Sequence, residues 1–362
     1  MIPVSDSSKL IIAVDGGGSK TKAILGLLRD PLDHRDGREL EKMSAAIIGE
    51  GVSGPGNPRA VGFEVAQENI GRAIDDALAR SQYVGIHPTA VCLSLAGVGR
   101  DEDKARMEAW ARSRFTASSV LVTTDAEPLL SVLSSQLLAG ETIGRKVDGP
   151  EVATEDTTLI GRYLSFSVRD QGVGIALISG TGSYCFGRNA NGVRADSGGW
   201  GGLLGDEGGG YWIAMEGLRA VTRQADGRGE ATLLTNAAME FFNLSGPSGL
   251  IGLIYDPVTT RDQIAKFSGV IFELAPRDNA AMRIAKVAAE SLAELIATVA
   301  RKLETQAGYR LGLTGGNLCN QEMLRDMTLA SLFARGHREI DVLEIREPAL
   351  GGISLAVRSL LA

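Results

Sequence analysis

The sequence predicts an α/β protein of two domains, each with a repeated β-β-β-α-β-α-β-α order, set around an interdomain cleft. Three observations predict it. The 362-residue length suits two domains at roughly 100 to 200 residues each. Glycine turns bearing hydroxyls recur at Gly16–Thr21 and Gly180–Ser183, each between apolar runs. The order of runs and amphipathic stretches then begins again at Gly174, and internal repetition constrains architecture more than any single segment does.

In the first half, Leu10–Val14 is an apolar run, Gly16–Gly18 a tight turn and Thr21–Leu28 a second run, together a β-hairpin. Ala45–Ile48 supplies a third strand. Asn57-Pro58 opens a helix with Asn as N-cap and Pro at the first helical position, and Val61, Val65, Ile70 and Ile74 carry its apolar period toward Arg80. Ala90–Ala96 reads as a buried strand, Asp101–Arg114 as an amphipathic helix, Val120–Thr124 as a strand and Ala126–Leu138 as a helix.

In the second half, Gly174–Ser179 is a strand, Tyr184–Arg188 its return strand, and Asn191-Gly192 a further hairpin signal. A helix over Glu207–Arg223 follows a glycine-rich loop. Helices are expected at 230–243, 261–274 and 279–306, then a strand at Leu311–Thr314, a helix from Asn320, a strand at Ile340–Ile345 and a closing helix from Leu350. The domains are accordingly set at 1–126 and 127–349, with 350–362 able to pack back on the first. Residues 140–172 break the pattern as a charged, Thr-rich insertion containing one strand-like run, Tyr163–Val168.

Composition excludes several classes. With 44% hydrophobic and 22% charged residues the chain can bury a core and does not resemble a disordered one. A net charge of −7, with Lys and Arg scattered, disfavours nucleic acid as a partner. Cys92, Cys185 and Cys319 are far apart and form no C-x-x-C pair, so neither a disulfide framework nor a structural zinc site is readable. The N-terminal stretch lacks a basic region and its apolar run ends at Asp15, and no run is long enough to span a bilayer. A cytoplasmic protein without membrane contacts is expected.

Five motifs carry chemistry. Asp15-Gly16-Gly17-Gly18-Ser19-Lys20-Thr21 is a turn at which glycines let backbone approach a phosphate, Ser19 and Thr21 offer hydroxyls, and Asp15 can hold hydrated Mg²⁺. It fits neither a Walker A loop nor a dinucleotide fingerprint, because a strand follows it. Alone it is equally a glycine hairpin. Ser179-Gly180-Thr181-Gly182-Ser183 repeats the arrangement, and two such loops facing each other across a cleft would grip a triphosphate. Asp125, in Val122-Thr123-Thr124-Asp125-Ala126, sits where a buried strand meets a helix. A partly desolvated carboxylate there can accept a substrate hydroxyl's proton, although Asp is also a common helix cap. Gly198–Gly210 spends eight glycines in thirteen residues around Trp200, Asp206 and Glu207. Trp200 suits the apolar face of a sugar ring and Asp206 its hydroxyls, unless Trp200 only anchors the loop. Leu313-Thr314-Gly315-Gly316-Asn317 leaves room for adenine and ribose, or is an ordinary strand-to-helix turn.

Together these segments resemble the N-acetylglucosamine kinase family within the BadF/BadG/BcrA/BcrD-type ATPases of the actin/hexokinase/heat-shock-protein superfold. The likeness spans most of the chain and is strongest in DGGGSKT, TTDA, ISGTGS, GGWGGLLGDEGGGYWIA, GLTGGN and PALGGISLA. It implies two ribonuclease-H-like (actin/hexokinase-type) domains and ATP with Mg²⁺ as cofactors. It also implies transfer to the 6-hydroxyl of an amino sugar, N-acetyl-D-glucosamine above others, with Asp125 as general base. By the same resemblance the sugar site comprises Asn57, Asp125, Gly199, Trp200, Gly201 and Asp206. By the resemblance Ser19, Thr181 and Gly315 contact ATP; their turns extend the candidate nucleotide site to Gly17, Gly18, Lys20, Thr21, Gly180, Gly182, Ser183, Gly316 and Cys319, and Asp15 is the candidate metal contact through water. Asn57 is a helix cap in one reading and a sugar ligand in the other, and both can hold.

Alternatives are a kinase for free glucosamine or another hexose, an activator ATPase of acyl-CoA dehydratases or reductases, and a catalytically silent sugar-responsive regulator. The activator needs cysteine thiolates for an iron–sulfur cluster, and the three cysteines make no convincing site. The regulator would carry a basic DNA-binding domain, which is not seen. The 140–172 insertion departs from the family pattern and leaves the oligomeric state, monomer or homodimer, open.

Overall fold

The computed structural model of the chain describes residues 9–28, 42–81, 83, 87–133, 135–138, 159–167, 173–305 and 308–361. Chain contacts divide it into two units, Met1–Gly172 with Glu347–Ala362, and Val173–Arg346.

In the first unit, β1 (Lys9–Gly16) and β2 (Thr21–Leu28) form the expected antiparallel hairpin, with Asp15 opposite Lys22. β3 (Lys42–Ser53) extends well beyond the short run expected and pairs antiparallel with β2, its register shifting at Leu25/Gly26. The next helix is two. α1 (Pro58–Val61) stops at Gly62, whose φ of 84° ends it, and α2 (Phe63–Arg80) starts afresh. Then come β4 (Ala90–Leu95), α3 (Asp101–Arg114), β5 (Ser119–Thr124) and α4 (Glu127–Leu133). The helix expected to reach Leu138 stops at Leu133, because β6 (Ser135–Leu138) pairs antiparallel with β7 (Tyr163–Ser167), whose other edge lies on β3. The strand-like run of the insertion is therefore a sheet member; the rest of that insertion, 140–158 and 168–172, lies outside the described residues. The sheet runs β5-β4-β1-β2-β3-β7-β6. β1, β4 and β5 are mutually parallel, so their carboxyl ends share one edge of the sheet.

The second unit repeats the plan. β8 (Gly174–Ser179), β9 (Ser183–Arg188) and β10 (Arg194–Gly198) form an antiparallel meander. α5 (Gly210–Ala225) begins three residues later than the sequence suggests, since the glycines before it stay in the loop. α6 (Leu234–Phe241) is shorter than expected, and α7 (Gly249–Tyr255) was not anticipated at all, its glycines and short length giving little helical period. The expected 261–274 helix is divided into α8 (Arg261–Ala265), opened by a Thr260/Gln263 capping box, and α9 (Phe267–Leu274). α10 (Asn279–Lys302) is capped by Asp278, and β11 (Tyr309–Thr314), α11 (Gly316–Asn320), α12 (Glu322–Ala334) and β12 (Ile340–Glu344) complete the unit. The sheet order is β10-β9-β8-β11-β12, with β8, β11 and β12 parallel. Read from the meander outward, that is the order β3-β2-β1-β4-β5 of the first sheet, so the repeat expected from the sequence is present in the strands.

The last element, α13 (Ala349–Leu361), returns to the first unit. Its buried Ile353, Ala356 and Val357 pack with Ile11, Ala13, Ile24, Ile47 and Cys92 on one face of the sheet. The other face is covered through Ile70, Ile74 and Met107 of α2 and α3.

Candidate functional site

The first unit gathers its polar groups at the carboxyl ends of the parallel strands. Gly17 N–H donates to the Lys20 carbonyl at 2.9 Å and closes the hairpin turn, leaving Gly18, Ser19 and Lys20 exposed at its tip. Thr21 behaves differently from the sequence expectation. It is fully buried and its hydroxyl donates to the Gly54 carbonyl at 2.8 Å, tying the turn to the neighbouring loop. That loop docks on the turn through Gly56 N–H and Asn57 N–H, both donating to the Gly17 carbonyl, at 3.0 and 3.2 Å. Asn57 is the cap of α1, its side-chain oxygen accepting from Arg59 N–H at 2.9 Å. Gly97, which the sequence reading did not single out, makes this possible. A Cβ there would stand 2.1 Å from Asn57 Oδ1.

Asp15 lies near the end of β1 and Asp125 directly after β5, on the shared edge. Burial pushes the Asp15 carboxyl up to about 7, the negative charge of Asp125 adds to this, and Lys20 opposes it. Burial also holds the Asp125 carboxyl above its ordinary range, against the pull of its own backbone N–H. Two carboxyls crowded in a poorly solvated place favour a proton or a cation. Beside them stands a cluster missed from the sequence: Lys22 pairs with Glu50 at 2.9 Å and Glu347 at 2.7 Å. Burial disfavours the ammonium, but the hydrogen bonds and charges of Glu347 and Glu50 outweigh it and raise its pKa. A lysine inside the apolar run TKAILGLL was the available signal, since a buried strand carries a charge only when it is paired.

The second unit brings three of the predicted segments into one place. Gly180 N–H donates to the Gly182 carbonyl at 3.0 Å and closes the β8–β9 turn. The turn's outer carbonyls receive the start of α5, with Gly210 N–H donating to Gly180 O at 2.8 Å and Tyr211 N–H to Thr181 O at 3.0 Å. Ser179 and Ser183 hydroxyls donate to the Gly208 and Glu207 carbonyls at 2.7 and 2.8 Å, lacing the glycine-rich loop onto the turn. Thr181 donates its hydroxyl to Asp262 Oδ1 at 3.1 Å. The Gly315-Gly316 segment arrives from the other side. Gly315 has φ 95°, and a Cβ on it would lie 2.3 Å from Ser179 O. Asn317, buried behind it, donates to Gly180 O at 3.1 Å and accepts from Ser268 Oγ at 3.0 Å. Gly316 is exposed, while Cys319 is half-buried, its thiol pushed up by burial.

Within the glycine-rich loop, Trp200 is 74% exposed, so it does not anchor the loop in the core, and Leu203 and Leu204 beside it are exposed as well. Gly199 and Gly201 flank it with φ of 74° and 84°. Asp206 occupies the left-handed region at φ 61°, a conformation that costs a non-glycine residue energy and needs compensation. Its carboxylate accepts from the backbone N–H groups of Ser183 and Gly201, which counter the upward push of burial. Asp206 thus joins the β8–β9 turn to the Trp200 loop.

Two sheets of matching order, each opening on a glycine turn, and strand-end carboxyls in the first, define the two-domain actin/hexokinase-type class. The BadF/BadG/BcrA/BcrD ATPase family matches residues 12–356, and the chain belongs to that family. It is 30% identical over 313 residues to an N-acetylmuramic acid/N-acetylglucosamine kinase of Clostridium acetobutylicum, covering 86% of each chain. It is 27% identical over 365 residues to an N-acetyl-D-glucosamine kinase of Dictyostelium discoideum, covering 98% of this chain and 99% of that one. Among solved structures, a protein assigned as an N-acetylglucosamine kinase from Chromobacterium violaceum shares the fold with a TM-score of 0.68 at 18% identity, over 96% of this chain and 99% of that one. No helix among the described residues is long and apolar enough to cross a membrane.

Proposed function

We propose that the chain is an ATP-dependent kinase that phosphorylates the 6-hydroxyl of an amino sugar, N-acetyl-D-glucosamine before others. The observation that carries the reaction type is Asp125: a carboxyl raised by burial, at a strand end beside a glycine turn and a second carboxyl. In this reading the sugar oxygen attacks the γ-phosphorus, ADP leaves, and Asp125 takes the hydroxyl proton and aims the oxygen in line. The 17–20 turn and the 180–183 turn supply phosphate contacts from backbone N–H groups, and Gly315 leaves space for the nucleoside. Asn57, Gly199, Trp200, Gly201 and Asp206 hold the sugar. The similarity to kinases of N-acetylated amino sugars supports the choice of substrate class.

Magnesium fits the first-unit site. Burial first, and then the negative charge of Asp125, raise the Asp15 carboxyl to about 7, with Lys20 opposing, and a hydrated hard cation would favour its ionised form through oxygen ligands. Asp15 would hold it through water. Bound with ATP, such an ion would supply positive charge against the phosphate oxygens. The iron–sulfur alternative is disfavoured by Cys92 and Cys185, which are fully buried within strands with their thiols pushed up, Cys92 to about 12.

The test is ATP consumption against a panel of N-acetylglucosamine, N-acetylmuramic acid, N-acetylmannosamine, glucosamine and glucose. The acetylated sugars should give the highest kcat/KM. Equal turnover of glucose would refute the acetamido assignment, and no sugar-dependent ADP from any of them would refute the kinase.

A further inference from the structure

Away from the loops described above, the second unit carries a cavity of about 380 Å³ between α5 and the first turns of α10. That volume lies in the range of small-molecule sites, roughly 300 to 1,000 Å³. Its walls are mainly apolar, built from Trp212 on α5 and Ile284 and Val287 on α10. The spacing explains the groove. Residues 212, 216, 219, 220 and 223 occupy one stripe of α5, and 280, 283, 284 and 287 one stripe of α10, so both helices face it with consecutive turns.

The rim is cationic in a protein of net charge −7. Arg219, Arg223 and Arg283 line the cavity against only two carboxylates, Glu216 and Glu230. Those two are engaged in exposed pairs, Glu216 with Arg219 and Glu230 with Arg283, of the kind that contributes little stability and exchanges partners readily. Arg223 has no carboxylate partner among the described residues; its guanidinium donates only to the Arg228 carbonyl, at 3.3 Å. A planar guanidinium with spare donors at the mouth of an apolar cavity suits one anionic head on an apolar body.

We propose that this cavity binds a small amphipathic anion, a carboxylate or phosphate monoester on a short apolar chain, with Arg223 meeting the head and Trp212, Ile284 and Val287 the chain. The site is distinct from the residues assigned to nucleotide and sugar.

Calorimetric titration of the full chain with octanoate, octyl phosphate and the uncharged 1-octanol, each below its aggregation concentration, tests this. Both anions should bind saturably with a stoichiometry of one, at least tenfold tighter than octanol, the better of the two identifying the head. Arg223→Gln should weaken the anions at least fivefold and leave octanol unchanged, and Val287→Glu, at an exposed position, should weaken all three. Neither residue belongs to the proposed kinase site, so turnover of the best sugar should stay at the wild-type rate in both variants and report that they fold. Absence of saturable binding by either anion, octanol binding as tightly as the anions, or wild-type affinities in both variants would overturn the proposal.

Discussion

The carboxyl of Asp125 is useful as a base only when ionised, and burial has moved it upward, so the activity should depend on pH in a stated direction. As pH falls through that raised pKa the base is lost, and kcat/KM should drop on an acid limb lying clearly above the ordinary aspartate value of about 3.9. Asp125→Asn should lower kcat by about 10² to 10⁴ and keep nucleotide affinity. A limb at the ordinary value, or a variant with wild-type turnover, would remove Asp125 from the chemistry. Asp15 allows a separate test, of stability. Its folded-state pKa, about 7, is raised above that of the unfolded chain, so the protonated form favours folding; that contribution is complete below about pH 4 and is lost as pH rises through 7. Without ligands, Asp15→Asn should therefore melt higher than the wild type at pH 8, with the advantage shrinking toward pH 5. A difference that is constant with pH would show that Asp15 titrates normally. Partial access of Asp15 to solvent limits the size of the effect but not its sign.

Elements differ in how far the sequence discloses them, and the reason is local against distant determination. The β1–β2 and β8–β9 hairpins were legible because each is defined by a glycine turn between two apolar runs a few residues apart. β6 was not. Ser135–Leu138 continues the apolar spacing of α4, and only pairing with β7, some thirty residues on, makes it a strand. The chemistry shows the same division. Asp15, Asp125 and the 180–183 turn could be found from their own neighbours, whereas the Lys22, Glu50 and Glu347 cluster unites three distant positions through sheet register and the returning chain. Gly315 lies between these cases, recognisable as a turn glycine but with its reason visible only in the fold. It lets the start of α11 pass against the backbone of Ser179, so Gly315→Ala meets both a left-handed φ and a carbonyl 2.3 Å away. Overpacking and strain of this kind cost on the order of 2 to 4 kcal/mol. The variant should melt several degrees lower and show a raised KM for ATP with less change in KM for sugar. Unchanged melting would mean that the β11–α11 turn shifts without cost.

At the scale of the molecule, the chain leaves its first unit after residue 172, builds the second, and comes back at Glu347 to finish the first. Completion of the first unit therefore depends on the far end of the sequence. α13 covers one face of the seven-stranded sheet with Leu350, Ile353 and Val357, which are 6%, 0% and 1% exposed. Fully burying such side chains contributes about 1.5 to 3 kcal/mol each, and without the helix the sheet face formed by Ile11, Ala13, Ile24 and Ile47 would be open to water too. That loss is comparable to the whole stability of an ordinary domain, about 5 to 15 kcal/mol. The second unit, by contrast, has its own core along α5, α9 and α10 and receives nothing from α13 in that cluster. Deleting residues 349–362 should therefore leave the first unit unfolded while the second keeps a cooperative transition. Hydrogen exchange read by mass spectrometry distinguishes the outcomes: β1, β2 and β4 should exchange rapidly in the truncated chain while α10 stays protected. Protection of β1 equal to that in the untruncated chain would show that the sheet closes without α13.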